Sequence, residues 1–176
     1  MNKQRIAIDM DEVMADFLSK AIQTYNQEFN ASISLDDQQG KHFVESVPEA
    51  HLSEVRLYPY RPSFFRDLQI MKDCKEVVTE LAGKYELFIV SAAMEFPNSL
   101  KDKREWLEEH FSFIHWQNIV LCGDKSIINA DFLIDDHSKH LVNFVGEPLL
   151  FTAPHNINEN RFKRVNDWQE VGNLLL

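Results

Sequence analysis

Short apolar runs, each closed by polar residues, recur along the chain at residues 5–8, 86–90, 118–121 and 132–134, with a fifth at 148–151. Continuous runs of this length, rich in Ile, Val, Leu and Phe, suit strands covered on both faces, as in a parallel sheet. Between them the apolar positions take helical spacing. Val77, Val78 and Leu81 form one stripe, introduced by Asp73 with Glu76 as a capping pair and stopped at Gly83. The same reading gives helices over 98–111 and 167–175, the second opened by Asp167 and Glu170. Strands alternating with helices of this size predict right-handed βαβ units and a doubly wound α/β domain.

Residues 14–72 break that rhythm. A helical pattern covers 14–29, shorter pieces follow around Pro48, Pro59 and Pro62, and no strand-like apolar run occurs. The segment reads as a helical insertion after the first strand, lying over the carboxyl ends of the strands, where open α/β sheets bind ligands. Residues 1–13 and 73–176 then form the core.

Composition narrows the function. At 176 residues the chain suits one core with a small insertion, and 44% hydrophobic against 26% charged residues is a globular balance. A formal net charge of −10 repels long nucleic acids, whose binding needs Lys and Arg on phosphates. A small phosphate ester stays admissible, because a bound metal inverts the local field. Cys74 and Cys122 form no CxxC and read as buried thiols of a reducing compartment. No run approaches a membrane span and the N-terminal stretch lacks a signal peptide's apolar run, so a cytoplasmic location is the expectation. The seven histidines show no metal-ligand spacing, and His137 with His140 reads as a pair of surface helix residues.

The polar groups of interest all follow strands: Asp9 and Asp11 the first, Ser91 the second, Lys125 the third, Asp135 and Asp136 the fourth. Parallel strands bring those positions to one edge of the sheet. Each has a structural alternative when taken singly: turn or cap chemistry for the aspartates and Ser91, a solvated surface position for Lys125. Together they define a chemistry. Clustered carboxylates repel unless a cation joins them, and oxygen-only ligation suits Mg²⁺. Lys125 and the hydroxyl and backbone N–H groups around Ser91 supply donors for an anion, which completes a phosphoryl-transfer site. Asp9 could attack phosphorus, and Asp11 could serve as general acid and base.

The strings IAIDMDEVMADF, IVSAA, GDK and FLIDD, in that order, resemble the haloacid dehalogenase-like (HAD) phosphatase superfamily, and within it the 5′(3′)-deoxyribonucleotidases. The resemblance covers nearly the whole chain. It implies a Rossmann-like core with a helical cap at residues 14–72, Asp9 as nucleophile and Asp11 as acid–base. It also implies Mg²⁺ held by Asp9, the Asp11 backbone carbonyl, and Asp135 and Asp136. One of the last two binds directly and the other through water, with Asp136 preferred and the sequence not deciding. Ser91, Ala92 and Lys125 take the phosphoryl group, and Phe17, Phe64 and Phe65 line a nucleoside pocket, with Tyr58 and Tyr60 nearby. The cap phenylalanines have an alternative as the insertion's own core. Three positions depart from the family's pattern: Glu12 stands for glycine, Gly123 for arginine, and Ala-Ala-Met follows Ser91.

A phosphatase for another small metabolite shares this mechanism, and the aromatic content of the cap weighs against a sugar phosphate. A receiver-like phosphoacceptor module uses similar groups, but there the acidic pair precedes the phosphoacceptor, whereas Asp135 and Asp136 come last. A member that binds nucleotide without hydrolysing it is disfavoured by the intact catalytic positions. A homodimer is compatible with the sequence, which does not set the oligomeric state.

Overall fold

The computed structural model describes residues 3–176. Its main sheet has six strands: β1 (Arg5–Ile8), β4 (Glu86–Ser91), β5 (Ile119–Leu121), β6 (Phe132–Asp135), β7 (Glu147–Phe151) and β8 (Lys163–Val165), in the order β5-β4-β1-β6-β7-β8. Every pairing in it is parallel. The buried run Ile6, Ala7 and Ile8 makes β1 the centre, covered on both faces. The chain works outward from β1 through β4 to β5, then crosses back and continues through β6 to β8. The carboxyl end of β1 is therefore the switch point of the topology, where ligands bind in such sheets.

Helices α3 (Cys74–Lys84), α4 (Ser99–His110), α5 (Ser138–Leu141) and α6 (Trp168–Leu175) cover the sheet. Val78 and Leu81 bury one stripe of α3, and Trp106 with Leu107 buries one of α4. Asp167 caps α6 by accepting the Glu170 N–H at 2.8 Å, as the sequence indicated. Asp73 does not cap α3: it sits at φ +60°, makes no side-chain cap bond, and its carboxylate accepts from Gln169 instead. Gly83 does not stop α3 either, which runs on to Lys84.

Residues 14–72, read from the sequence as a helical insertion without a strand-like apolar run, also contribute two short strands. Two-residue strands β2 (Ala15–Asp16) and β3 (Gln69–Ile70) pair antiparallel, so the chain leaves and re-enters the sheet region through one narrow ribbon. Between them lie α1 (Phe17–Phe29), the short α2 (Leu52–Val55) and several 3₁₀ turns. Helix α1 starts at Phe17 because Asp16 caps it, accepting the Ser19 N–H at 2.9 Å. The segment is bonded to α4: Trp106 Nε1 donates to the Leu68 carbonyl at 2.8 Å, Asn98 to that of Tyr60 at 2.6 Å, and Arg66 pairs with Glu109 at 2.7 Å. Cys74 is buried as expected, but Cys122 is only half-buried; both are free thiols. No helix among the described residues is long and apolar enough to cross a membrane.

Candidate active site

The strand ends bring Asp9, Ser91, Lys125, Asp135 and Asp136 together, all buried. Asp9 leaves β1 with its N–H bonded to the Ile134 carbonyl at 2.9 Å, which ties it to β6. Lys125 lies one turn past β5, its carbon stem buried. Its Nζ donates to Asp9 Oδ1 and to Asp135 Oδ2, each at 2.5 Å. Asp135 Oδ1 accepts the His137 N–H at 2.8 Å, so both oxygens of that carboxylate are engaged. Ser91 ends β4, and Ala92 beside it lines a cavity of about 180 Å³ with Asp9, Asp11 and Lys125.

One central group escaped the sequence reading. Lys103, in the middle of α4, is 1% exposed, and its Nζ donates to Ser91 Oγ at 2.8 Å and to Asp11 Oδ2. Its ammonium also lies 4.7 Å from the centre of the Phe65 ring. A signal existed: Lys103 falls on the stripe of Ser99, Trp106 and Leu107, where a lysine at an apolar position needs an anionic partner.

The charges decide what the site can hold. The ammonium groups in contact with the four carboxylates of Asp9, Asp11, Asp135 and Asp136 are those of Lys103 and Lys125, which leaves this group two charges short of neutrality when all are ionised. Asp11 Oδ1 and Asp136 Oδ1 are buried with no hydrogen-bond partner. Oxygens of Asp9, Asp135 and Asp136 lie within 4.8 Å of one another. Orphaned buried oxygens and a deficit of two fit one divalent, oxygen-seeking cation. Without it the carboxylates respond individually. Burial works against the Asp9 anion, but Lys125 and Lys103 hold it below the ordinary range. Burial lifts Asp11, with Lys103 opposing and Asp9 adding to the rise. Burial and the Asp9 charge push Asp135 up to about 7, and burial raises Asp136 well above the usual carboxylate range.

Glu12 adds a fifth acid at φ +59°, a conformation that suits glycine. Its Oε1 accepts the Leu18 N–H at 2.6 Å, in the first turn of α1. Burial pushes it up to about 8, so it is neutral over most of the acidic range. A raised folded-state pKa means the folded chain holds the proton where the unfolded chain has lost it, so stability drains away as pH rises from about 4.5 to about 8. Glu12→Gln keeps an acceptor for Leu18 and cannot ionise. In chelator, its melting temperature relative to the parent should climb between pH 5 and pH 8, and a constant difference across that range would refute the account.

A larger cavity of about 580 Å³ shares Glu12, Phe17, Phe96 and Asp136 with the small one. Its walls include Phe43, Tyr58 and Tyr60 on one side and His42, His137 and His155 on another. Phe17 reaches both cavities. Phe65 reaches the small one and stacks on Phe17 at 5.4 Å. Phe64 lines neither; it packs edge-on behind Phe17 at 5.6 Å and against Tyr58. His137 is not a surface helix residue: it precedes α5, its ring lies 4.5 Å from that of His155, and both stand beside Asp136. Another concavity, about 990 Å³, lies at the opposite edge of the sheet around Arg5, Glu86 and Asp131, away from these carboxylates.

The fold and this strand-end cluster define a haloacid dehalogenase-like hydrolase. Solved structures agree on the fold: a haloacid dehalogenase-like protein from Agrobacterium tumefaciens superposes with a TM-score of 0.64 at 15% identity, covering 98% of this chain and 97% of its own. A Bacillus subtilis HAD-hydrolase bound to magnesium gives 0.61 at 12% identity, covering 99% of each. The family model described as 5′ nucleotidase, deoxy (pyrimidine), cytosolic type C protein matches residues 3–176, and the chain belongs to that family. A 5′(3′)-deoxyribonucleotidase from Bacillus subtilis is 42% identical over 177 residues, 99% of either chain. A Staphylococcus epidermidis relative is 45% identical over 173 residues, 98% of this chain and 96% of its own. The protein is accordingly a phosphoric monoester hydrolase of the nucleotidase type.

Proposed function

We propose that the chain hydrolyses deoxyribonucleoside monophosphates through an aspartyl-phosphate on Asp9, with Mg²⁺ as cofactor. The observation that carries this reading is the junction of a small, carboxylate- and lysine-lined cavity with a larger aromatic one, through Phe17 and Asp136. A phosphate fits the first and a nucleoside the second.

Lys125 occupies Asp9 Oδ1, which leaves Oδ2 to attack phosphorus. The new bond joins Oδ2 to phosphorus as the bond to the leaving oxygen breaks, and Asp11, lifted by burial, gives that oxygen its proton. A water then attacks the aspartyl-phosphate, Asp11 takes a proton back, and phosphate leaves with Asp9 restored. Lys103, Lys125 and Ser91 neutralise the phosphoryl oxygens and hold them in line. Mg²⁺ would be held by Asp9, Asp136 and a backbone oxygen near Asp11, where it supplies charge neutralisation for the transferring group. We place Asp135 in the outer role, since Lys125 and the His137 N–H already engage its oxygens.

Residues 14–72 act as the cap in this reading, with Phe17 and Phe43 of the cap and Phe96 of the core stacking on the base. An apolar wall leaves a ribose 2′-hydroxyl unpaired and favours the deoxy sugar. Phosphate release across deoxy- and ribonucleoside monophosphates and sugar phosphates, with Mg²⁺ and with chelator, tests both halves. Activity surviving excess chelator would remove the metal; a preference for sugar phosphates would remove the nucleotide.

The phenylalanines separate stacking from support. Phe17→Leu should raise KM for a deoxynucleotide roughly tenfold while hardly changing turnover of a generic aryl phosphate, since base–aromatic stacking is worth ~1–3 kcal/mol. Phe64→Leu removes buried ring volume behind that surface and should cost about 1 kcal/mol or more of stability. Both substrates should suffer together in it. Thermal stability and both KM values on each variant settle the division, and matching profiles for the two variants would contradict it.

A further inference from the structure

Beside the oxygen cluster, and outside the chemistry just described, two imidazoles converge on one carboxylate. His155 Nε2 lies 3.5 Å and His137 Nε2 3.7 Å from Asp136 Oδ2. Those separations are too long for hydrogen bonds. They match ligands that share an ion, since two donors at about 2.1 Å in a tetrahedral shell stand ~3.4 Å apart. The three donor atoms all lie within 4.8 Å of one another. A second observation points to the same place: Asp136 is 1% exposed, and its other oxygen, Oδ1, has no partner.

We propose that Asp136, His137 and His155 form a second cation site, selective for a divalent transition ion of the zinc type, in which that ion competes with Mg²⁺ for Asp136. Two nitrogens and one carboxylate oxygen suit Zn²⁺, Ni²⁺ or Cu²⁺ and are poor ligands for Mg²⁺. The rings are held in place. His155 and His137 stack at 4.5 Å, and His42 stacks on the outer face of His155 at 5.0 Å. The His42 backbone is held in turn, its N–H donating to Glu45 Oε2 at 2.6 Å and its carbonyl accepting the Glu45 N–H at 2.9 Å. The chemistry is a switch: a transition ion drawn to the imidazoles takes the carboxylate that the oxygen cluster needs.

The test is direct binding to the full chain. Zn²⁺ titrated against a chromogenic chelator should show one tight equivalent on the parent protein. Both His137→Ala and His155→Ala should weaken it by about tenfold or more, and His42→Ala by much less, as outer-ring support. Excess Mg²⁺ should lower the apparent Zn²⁺ affinity of the parent, because the two ions share Asp136. Co²⁺ provides a spectroscopic check, with a visible absorption band in the parent that is absent from the doubly substituted protein. Melting curves in chelator verify that each variant is folded, and His→Gln replaces any alanine variant that is not. Zn²⁺ affinity unchanged in the double variant, a Co²⁺ band that persists in it, or indifference to Mg²⁺ would each overturn the site.

Discussion

Asp9→Asn will fold and will not turn over, with a loss of at least about 10⁴-fold in kcat, the scale seen when a covalent nucleophile is removed. The amide keeps the size and one oxygen of the carboxylate, so Lys125 retains an acceptor there as well as Asp135. The removed charge is one of several that repel Asp135 and Asp136, where Asp9 stands second only to burial in raising each. Lost attraction to Lys125 and Lys103 and lost repulsion on Asp135 and Asp136 oppose each other, so the melting temperature in chelator should stay close to the parent's. Acid-quenched reactions with labelled substrate should trap phosphate on the parent chain and none on the variant. Steady release by folded Asp9→Asn protein above contamination would sink the covalent mechanism. Asp11→Asn should slow turnover severely, yet still trap label when the leaving group needs no proton.

The residues that the sequence exposed and those it hid differ for physical reasons. The central strands were legible because β1, β4 and β6 are covered on both faces, so the residues between their polar ends must be apolar. Strand β8, Lys163–Val165, lies at the sheet edge, where Lys163 and Arg164 reach solvent, and carries no apolar run. The ribbon of β2 and β3 is two residues per strand and exists only through its pairing, which no local pattern encodes.

The same divide runs through the site. Asp9, Ser91, Lys125, Asp135 and Asp136 each lie at or just past a strand, so reading the strands located them. Lys103 comes from a helix whose sequence, SLKDKREWLEEH, is charged on every turn, and its burial follows from the packing of α4 beside the strand ends. His42 meets His137 and His155 across roughly a hundred residues of chain, a juxtaposition set by the insertion's path and not by spacing. Phe43 was missed for a related reason: its place in the cavity wall depends on how the short 3₁₀ pieces fold back over Asp136.

Lys125→Met isolates what the buried cation contributes. Methionine fills most of the lysine volume, so little of the effect should come from a cavity. What disappears is the ammonium shared by Asp9 and Asp135, both buried. Removing one member of such a buried ionic group leaves uncompensated charge and costs roughly 3–5 kcal/mol. In a chain of this size that is a fall of about 10 °C in melting temperature. Three observations should accompany the fall if charge is its cause. Mg²⁺ should raise the melting temperature of Lys125→Met more than that of the parent, because a divalent ion supplies the missing positive charge to the same oxygens. The deficit should shrink as pH drops from 7 to 5. With the ammonium gone the raised carboxylate values move further up, and the folded variant takes up protons that the unfolded chain does not yet bind. Adding Asp135→Asn should recover part of the lost stability by deleting one unpaired charge. A deficit of the same size in chelator and in Mg²⁺, flat from pH 5 to 7 and untouched by Asp135→Asn, would instead make Lys125 a packing residue, and the charge balance argued for this site would fail with it.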